Sequence, residues 1–592
     1  NDFFQFANGK WRAENPIPPS MSRWSRRWQA GESSKDKLRT ILEATSATKA
    51  PTGSVEQLTG DFYAACMDET KVNALGIEPL KPLLAGIDGM RTGKDVERMI
   101  ATFHGMAIYA PFAFYSTSDN HDPSFVIAQV AASGLGMPDR DYYVKEDERF
   151  VEARHKYRTY VRTLFGLAGF RPDAAASAAD TVMRMETQLA QHSLDNVALR
   201  NPKATDHKMT LAKLQEITPR FDWGSFYKAA GLEAGEINVT EPKFMEELNR
   251  QLGNTPVEDW KIYLKWHLLD SAAPSLSKRF VEEHFAFHDA YLEGAKEMKP
   301  RWKQCVESTD ALLGEALGKI YVEKYFPPEA KAKMQELVKN LRLAMRETIE
   351  EIDWMSAPTK EKALEKLSTF NPKLGYPDKW KDYSQVPVRR DAFWASSVAA
   401  RQFGVKDDDA QINKPVDRGR WFMTPPTSDA YYNPALNEIV FPAGILQPPA
   451  FSVDAIDAVN YGAIGVVIGH EISHGFDDQG SQYDAQGRLK NWWTDEDLKK
   501  FRARGACVVK QFDNYPVEPG VNHNGRLVLG ESIGDLAGAK IAYRAFKISQ
   551  RGKPAAPSVD GFTQDQQFFI AWGQFRGDAV RPEFARTMVQ GD

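Results

Sequence analysis

The stretch GHEISHGFDD, residues 469–478, places His470 and His474 four apart, with Glu471 directly after the first histidine. On a helix, side chains four apart share one face a turn apart, so both imidazoles can reach a single ion from one side. Glu471 stands about 100° round the helix, close enough to take a proton from a water on that ion. Two imidazole ligands and a carboxylate base are the arrangement of a zinc peptidase. EEHFAFHD, residues 282–289, has His284 and His288 at the same spacing, but Phe285 stands where the glutamate would be. That pair reads as surface or core histidines.

Zinc of the catalytic kind takes a third protein ligand and keeps one position for water. Gly475, Phe476, Asp477 and Asp478 follow His474, with no third histidine at the spacing that would supply the ligand locally. LGESIGDLAG, residues 529–538, offers Glu531 and Asp535, again four apart. Glu531 is placed to bind the ion and Asp535 to orient a ligand imidazole. A solvated acidic helix face is the bland reading of that segment. Its apolar neighbours Leu529, Ile533, Leu536 and Ala537 argue that the carboxylates point inward, where they need partners.

These groups have to be held by helices. The segment before His470, Asn460 to Ile468, is mostly small or aliphatic and free of proline. Residues 329–352 place Met334, Leu337, Leu341, Met345, Ile349 and Ile352 at helical spacing, and residues 147–170 and 174–194 read as helices too. Another helix is expected from Thr359, after Pro358. Strand signal is thin, the best case being NEIVFPAGIL, residues 437–446. The fold class expected is mainly α with a small β component. With 592 residues, 42% apolar and 26% charged, the chain has the composition of an ordinary globular protein with room for more than one core. A net charge of -5 offers no field to attract nucleic acid, and no apolar run is long enough to span a membrane. Cys66, Cys305 and Cys507 match no zinc knuckle or CxxC spacing; three buried free thiols are the bland reading.

GHEISHGFDDQG, NWWTDED, LGESIGD, DAYYNPALNEIVFPAGILQPP and NDFFQFANGKW together closely resemble the neprilysin and endothelin-converting-enzyme family of zinc peptidases. The similarity extends to GLGMPDRDYY and LGYPDKW and so runs over nearly the whole chain. The resemblance implies a thermolysin-like, gluzincin catalytic domain and a mainly helical domain that together enclose a central chamber. The expected division is 1–45 and 310–592 for the catalytic domain, and 46–309 for the helical one. One zinc ion per chain is implied on His470, His474 and Glu531, with Glu471 as general base and Asp535 orienting a histidine. The implied activity is cleavage of oligopeptides on the amino side of bulky hydrophobic residues. A zinc-containing peptide-binding or regulatory protein with little catalysis is the alternative.

Other positions carry over from the family. Asp429 and Ala430 fall where an Asn-Ala pair contacts the substrate backbone; an ionised aspartate only accepts hydrogen bonds, so the donor half of that contact is lost. Arg23 falls where the family binds a substrate's terminal carboxylate, although with Arg26 and Arg27 beside it a solvated basic loop is the competing reading. Ile445, Val467 and Phe575 match positions lining the pocket for the bulky side chain; each also suits an ordinary core. Cys66 and Cys305 match a family disulfide. The sequence stops at RPEFARTMVQGD, before the family's oxyanion-stabilising histidine and arginine and before the cysteine that pairs with the position of Cys507, so the C-terminal end is expected to be missing. The disulfide and the resemblance point to a periplasmic or extracellular location, with a lipid anchor on a removed N-terminal segment as an option. Small peptides are the expected partners; oligomeric state has no signature in the sequence.

Overall fold

Long amphipathic helices carry most of the chain, and the computed structural model, which describes residues 2–554 and 557–589, gathers them around two hydrophobic cores. Asn1 of NDFFQFANGKW and Gln590, Gly591 and Asp592 of RPEFARTMVQGD lie outside the described residues. Helices α1 (Arg26–Ala47) and α2 (Val55–Met67) begin the first core. They bury Leu38, Ile41 and Leu42 against Leu58, Phe62 and Cys66, each set at helical spacing. The chain leaves this core after Val72, later than residue 45, because α2 packs with α1.

The second core runs from Leu80 to Leu292. It contains a sheet that the sequence signal does not reveal: β1 (Phe112–Ser118), β2 (Val126–Ala132), β3 (Lys208–Thr210) and β4 (Glu236–Val239), in the order β1-β2-β4-β3. Strand β2 buries residues on both faces, so its sequence VIAQVAA lacks the alternation that marks a half-exposed strand. Helices α3 (Glu148–Leu167), α4 (Pro172–Ala190), α5 (Val257–Ala272) and α6 (Lys278–Phe285) are among those that pack into this core. The helices expected over 147–170 and 174–194 are α3 and α4. Trp394 and Ile412, from far along the chain, also pack into this second core.

Helix α7 (Arg301–Tyr325) returns to the first core, and Cys305 on it is disulfide-bonded to Cys66 on α2, 239 residues away. Helix α8 (Pro328–Glu351) buries Met334, Leu337, Leu341, Met345 and Ile349 of the face that the sequence periodicity marks out, and Val338 besides; Ile352 of that set lies just past the helix end. Helix α9 (Ala357–Ser368) begins two residues before Thr359; Pro358 sits in its first turn, where a missing N–H costs no hydrogen bond. A second sheet follows, with β5 (Asn371–Gly375), β6 (Tyr431–Asn433) and β7 (Glu438–Pro442) in the order β5-β7-β6. Strand β7 lies within NEIVFPAGIL. It ends at Pro442 because Ala443–Leu446 turn back, Leu446 N–H donating to Ala443 O at 3.2 Å. Helices α10 (Val466–His474), α11 (Asp495–Phe512), α12 (Leu529–Ser549) and α13 (Gln564–Phe575) complete the architecture. Among the described residues no helix is long and apolar enough to cross a membrane.

Candidate active site

Helix α10 continues a π-helical segment, Tyr461–Gly465, and lies against α12. Glycines let the two backbones touch. A Cβ on Gly469 would stand 2.7 Å from Gly538 O, and one on Gly538 would stand 2.7 Å from His470 N. A Cβ on Gly534 would press to 2.8 Å on the ring of His470, so this glycine makes room for the imidazole. The close crossing sets the first residues of α12 opposite the last turn of α10.

The ligand atoms of His470, His474 and Glu531 all lie within 4.8 Å of one another. The two Nε2 atoms face the Glu531 carboxylate, at 3.3 Å for His470 and 3.6 Å for His474. Each Nδ1 turns outward to a separate aspartate: His470 to Asp535 Oδ1 at 2.9 Å, and His474 to Asp477 Oδ2 at 2.8 Å. A carboxylate on Nδ1 keeps the proton there and leaves the Nε2 lone pair for an ion. Asp477 is fixed in turn by the N–H groups of Gln479 and Gly480, which donate to its Oδ1 at 2.9 and 2.7 Å. Two neutral imidazoles, one carboxylate and an open side are a donor set that fits catalytic zinc. In the absence of a cation, burial disfavours the charged form of His470, but hydrogen bonds to Asp535 and Glu531 and the charge of Glu471 win and raise its pKa to about 10. The cluster is thus built to hold positive charge.

Glu471 is 7% exposed and faces the same cavity, about 380 Å³ in volume. Burial pushes its carboxyl above the ordinary value, against the opposing pull of His474 and His470. A raised carboxylate pKa suits a group that takes and returns a proton near neutrality.

Asp429, Ala430 and Val467 line the cavity with this cluster. Arg23, Ile445 and Phe575 do not. Arg23 is paired with Asp578, its guanidinium 4.6 Å from the Trp28 ring, where Arg23–Trp24 and Ala579–Val580 form a short antiparallel ladder. Ile445 and Phe575 are each 2% exposed and belong to the first core behind the wall.

Three charged groups of the cavity wall have no assignment from the sequence. Asp477 has a readable signal, lying three residues after His474 in GHEISHGFDD. Arg27 and Arg576 have none. Arg27 donates from Nη2 to Asp429 Oδ1 at 2.8 Å, and its guanidinium is 5.7 Å from the Phe575 ring, covering that residue from the cavity side. Arg576 pairs with Asp535 and stacks on Trp572 at 5.1 Å. Beneath the floor, Lys366 on α9 is 1% exposed and donates to Gly480 O at 2.7 Å and Tyr483 O at 2.8 Å.

Known proteins share this construction. Family models described as peptidase family M13 match residues 1–377 and 429–591. Endothelin-converting enzyme 1 of Rattus norvegicus is 32% identical over 610 residues, covering 98% of this chain and 78% of that protein. The crystal structure of the Mycobacterium tuberculosis zinc metalloprotease ZMP1 in complex with inhibitor superposes with a TM-score of 0.96 at 36% identity, covering 100% of this chain and 91% of the other. PepO from Lactobacillus rhamnosis gives a TM-score of 0.90 at 26% identity, covering 100% and 92%. The mainly helical architecture around a thermolysin-like catalytic domain is the fold of these enzymes. Matches over both halves of the chain therefore make it a member of peptidase family M13, a zinc metalloendopeptidase of the neprilysin and endothelin-converting-enzyme type.

Proposed function

We propose that His470, His474 and Glu531 hold one zinc ion, that Glu471 is the general base, and that the enzyme cleaves oligopeptides on the amino side of bulky hydrophobic residues. The observation that carries this reading is the convergence of two Nε2 atoms and the Glu531 carboxylate in one cavity with the buried Glu471. Zinc held there would supply Lewis acidity toward the scissile carbonyl and toward a water molecule. Glu471 accepts a proton from that water as its oxygen adds to the carbonyl carbon. It returns the proton to the leaving nitrogen as the C–N bond breaks. Asp535 and Asp477 keep the two imidazoles oriented throughout.

Substrate contacts are assigned to the cavity wall. Ala430 and Asp429 immediately precede the outer strand of the second sheet, which supports a role for them against the backbone of an extended peptide, and Val467 is an apolar wall for its side chain. Arg23, Ile445 and Phe575 are left out of direct contact. We further propose a two-domain chain, catalytic on the first core and mainly helical on the second, with crossings between Val72 and Leu80 and between Leu292 and Cys305; separate core membership supports it. The Cys66–Cys305 disulfide supports an oxidising, exported compartment.

The test is hydrolysis of internally quenched peptides by the full chain, with and without a chelator. Chelator-sensitive cleavage before Phe or Leu, and little before Asp or Gly, is the expected result. Cleavage indifferent to the residue after the scissile bond would overturn the specificity.

A further inference from the structure

We infer that Asp270, His284 and His288 form a second divalent-metal site, in the second core and separate from the catalytic cluster. Their ligand atoms all lie within 4.8 Å of one another, the same closeness as in the catalytic trio. The groups come from two places in the chain. Asp270 is in the last turn of α5, whereas His284 is in the last turn of α6 and His288 is in the π-helical segment Ala286–Tyr291 that follows. Widened turns of this kind collect at functional sites, and the catalytic helix of this protein also follows one, at Tyr461–Gly465.

Three details point to an ion rather than to incidental packing. First, the imidazole rings of His284 and His288 stack with centroids 4.3 Å apart, so both can address one point beside the stack. Second, Nε2 of His288 is closed off from solvent and makes no hydrogen bond of good geometry, although Asp270 Oδ1 lies 3.4 Å away. A buried ring nitrogen held only by one long contact is costly, and a metal ion between it and the carboxylate would remove that cost. Third, Asp270 is oriented from outside: the Tyr160 hydroxyl on α3 donates to its Oδ1 at 2.6 Å. That is the usual support of a ligand carboxylate. Tyr160 itself is held by stacking on Phe287 at 5.2 Å.

Two imidazoles and a carboxylate select borderline cations such as Zn²⁺, Co²⁺, Ni²⁺ or Cu²⁺ over Mg²⁺ or Ca²⁺, which take oxygen ligands. The ion would tie the end of α5 to the end of α6, bracing the helical unit. This role is independent of peptide hydrolysis, and the site does not depend on the assignment of the catalytic ligands.

The deciding experiment is elemental analysis of tag-free full chain, stripped of metal, reloaded with Zn²⁺ and dialysed. Wild type should hold two ions. A His470→Ala/His474→Ala double variant should keep one, and Zn²⁺ should still raise its melting temperature. His284→Ala/His288→Ala should also keep one, with peptidase activity unchanged. Tyr160→Phe, a milder change, should weaken the second site roughly 10- to 100-fold by competition with a chelator and leave the first unaltered. A single ion in wild type together with none in His470→Ala/His474→Ala would overturn the proposal and identify Asp270 and His288 as a plain ion pair. Two ions retained by His284→Ala/His288→Ala would overturn it as well.

Discussion

Each histidine of the proposed zinc site has its own aspartate, and the two aspartates are supported differently. Asp535 is shared between His470 and Arg576, whereas Asp477 receives two backbone N–H groups besides His474. Replacing Asp477 by Ala removes the orientation of His474 and should weaken zinc affinity about 10- to 100-fold, read by chelator competition with the peptidase signal as reporter. Undiminished affinity would show that the α10 backbone alone holds the ring. Glu471→Gln is the complementary change. It keeps size and polarity but cannot accept the proton, so kcat should fall by about 10²- to 10⁴-fold while zinc content stays at the wild-type level. Full turnover in that variant would remove Glu471 from the mechanism.

At the scale of elements, the floor of the site is an interlock between α9 and the loop after α10. Lys366 reaches from α9 to the carbonyls of Gly480 and Tyr483, in the segment that follows Asp477. Burial lowers its pKa from 10.5 to about 7, with Asp477 and Asp484 only partly opposing the effect. Between that value and the unfolded value of about 10.4, the unfolded chain binds a proton that the folded chain does not. Folding stability from this residue is therefore fully present above the unfolded value and is lost as pH falls towards 7. The stability difference between wild type and Lys366→Met, taken from denaturant midpoints, should favour wild type progressively more as pH rises from about 7 to 10. A difference independent of pH would mean that Lys366 stays charged in the fold. The same interlock includes Asp497 on α11, which accepts from Ser356 N at 3.0 Å and Thr359 Oγ1 at 2.7 Å at the start of α9. Losing these bonds through Asp497→Ala should cost about 1–3 kcal/mol, measured by the same unfolding.

Across the whole molecule, the disulfide sits where the chain leaves the first core and where it comes back. Cys66 and Cys305 enclose nearly all of the second core between them. Closing a loop of 239 residues stabilises by up to about 5 kcal/mol in the chain-entropy view. Reduction should therefore lower the unfolding midpoint. Denatured, unreduced protein should show one reactive thiol, the exposed Cys507, and three after reduction. Three thiols before reduction would contradict the pairing.

What the sequence determined by itself is local. The face of α8 and the spacing of His470, Glu471 and His474 follow from helical periodicity, which needs only neighbours in the chain. Asp477 is equally local and could have been read from its three-residue offset from His474. The four-residue spacing of Glu531 and Asp535 in an apolar helix is local too and made them candidates; the resemblance joined them to the histidines and added the pairing of Cys66 with Cys305. Folding is what brings Arg27 over Phe575, Arg576 to Asp535, Lys366 under the site, and Asp270 beside His284 and His288. These pairings join distant segments. They depend on how the apolar faces of helices pack and on where glycines such as Gly469, Gly534 and Gly538 allow two backbones to touch. Periodicity says which side of a helix turns inward; it does not say which helix waits there.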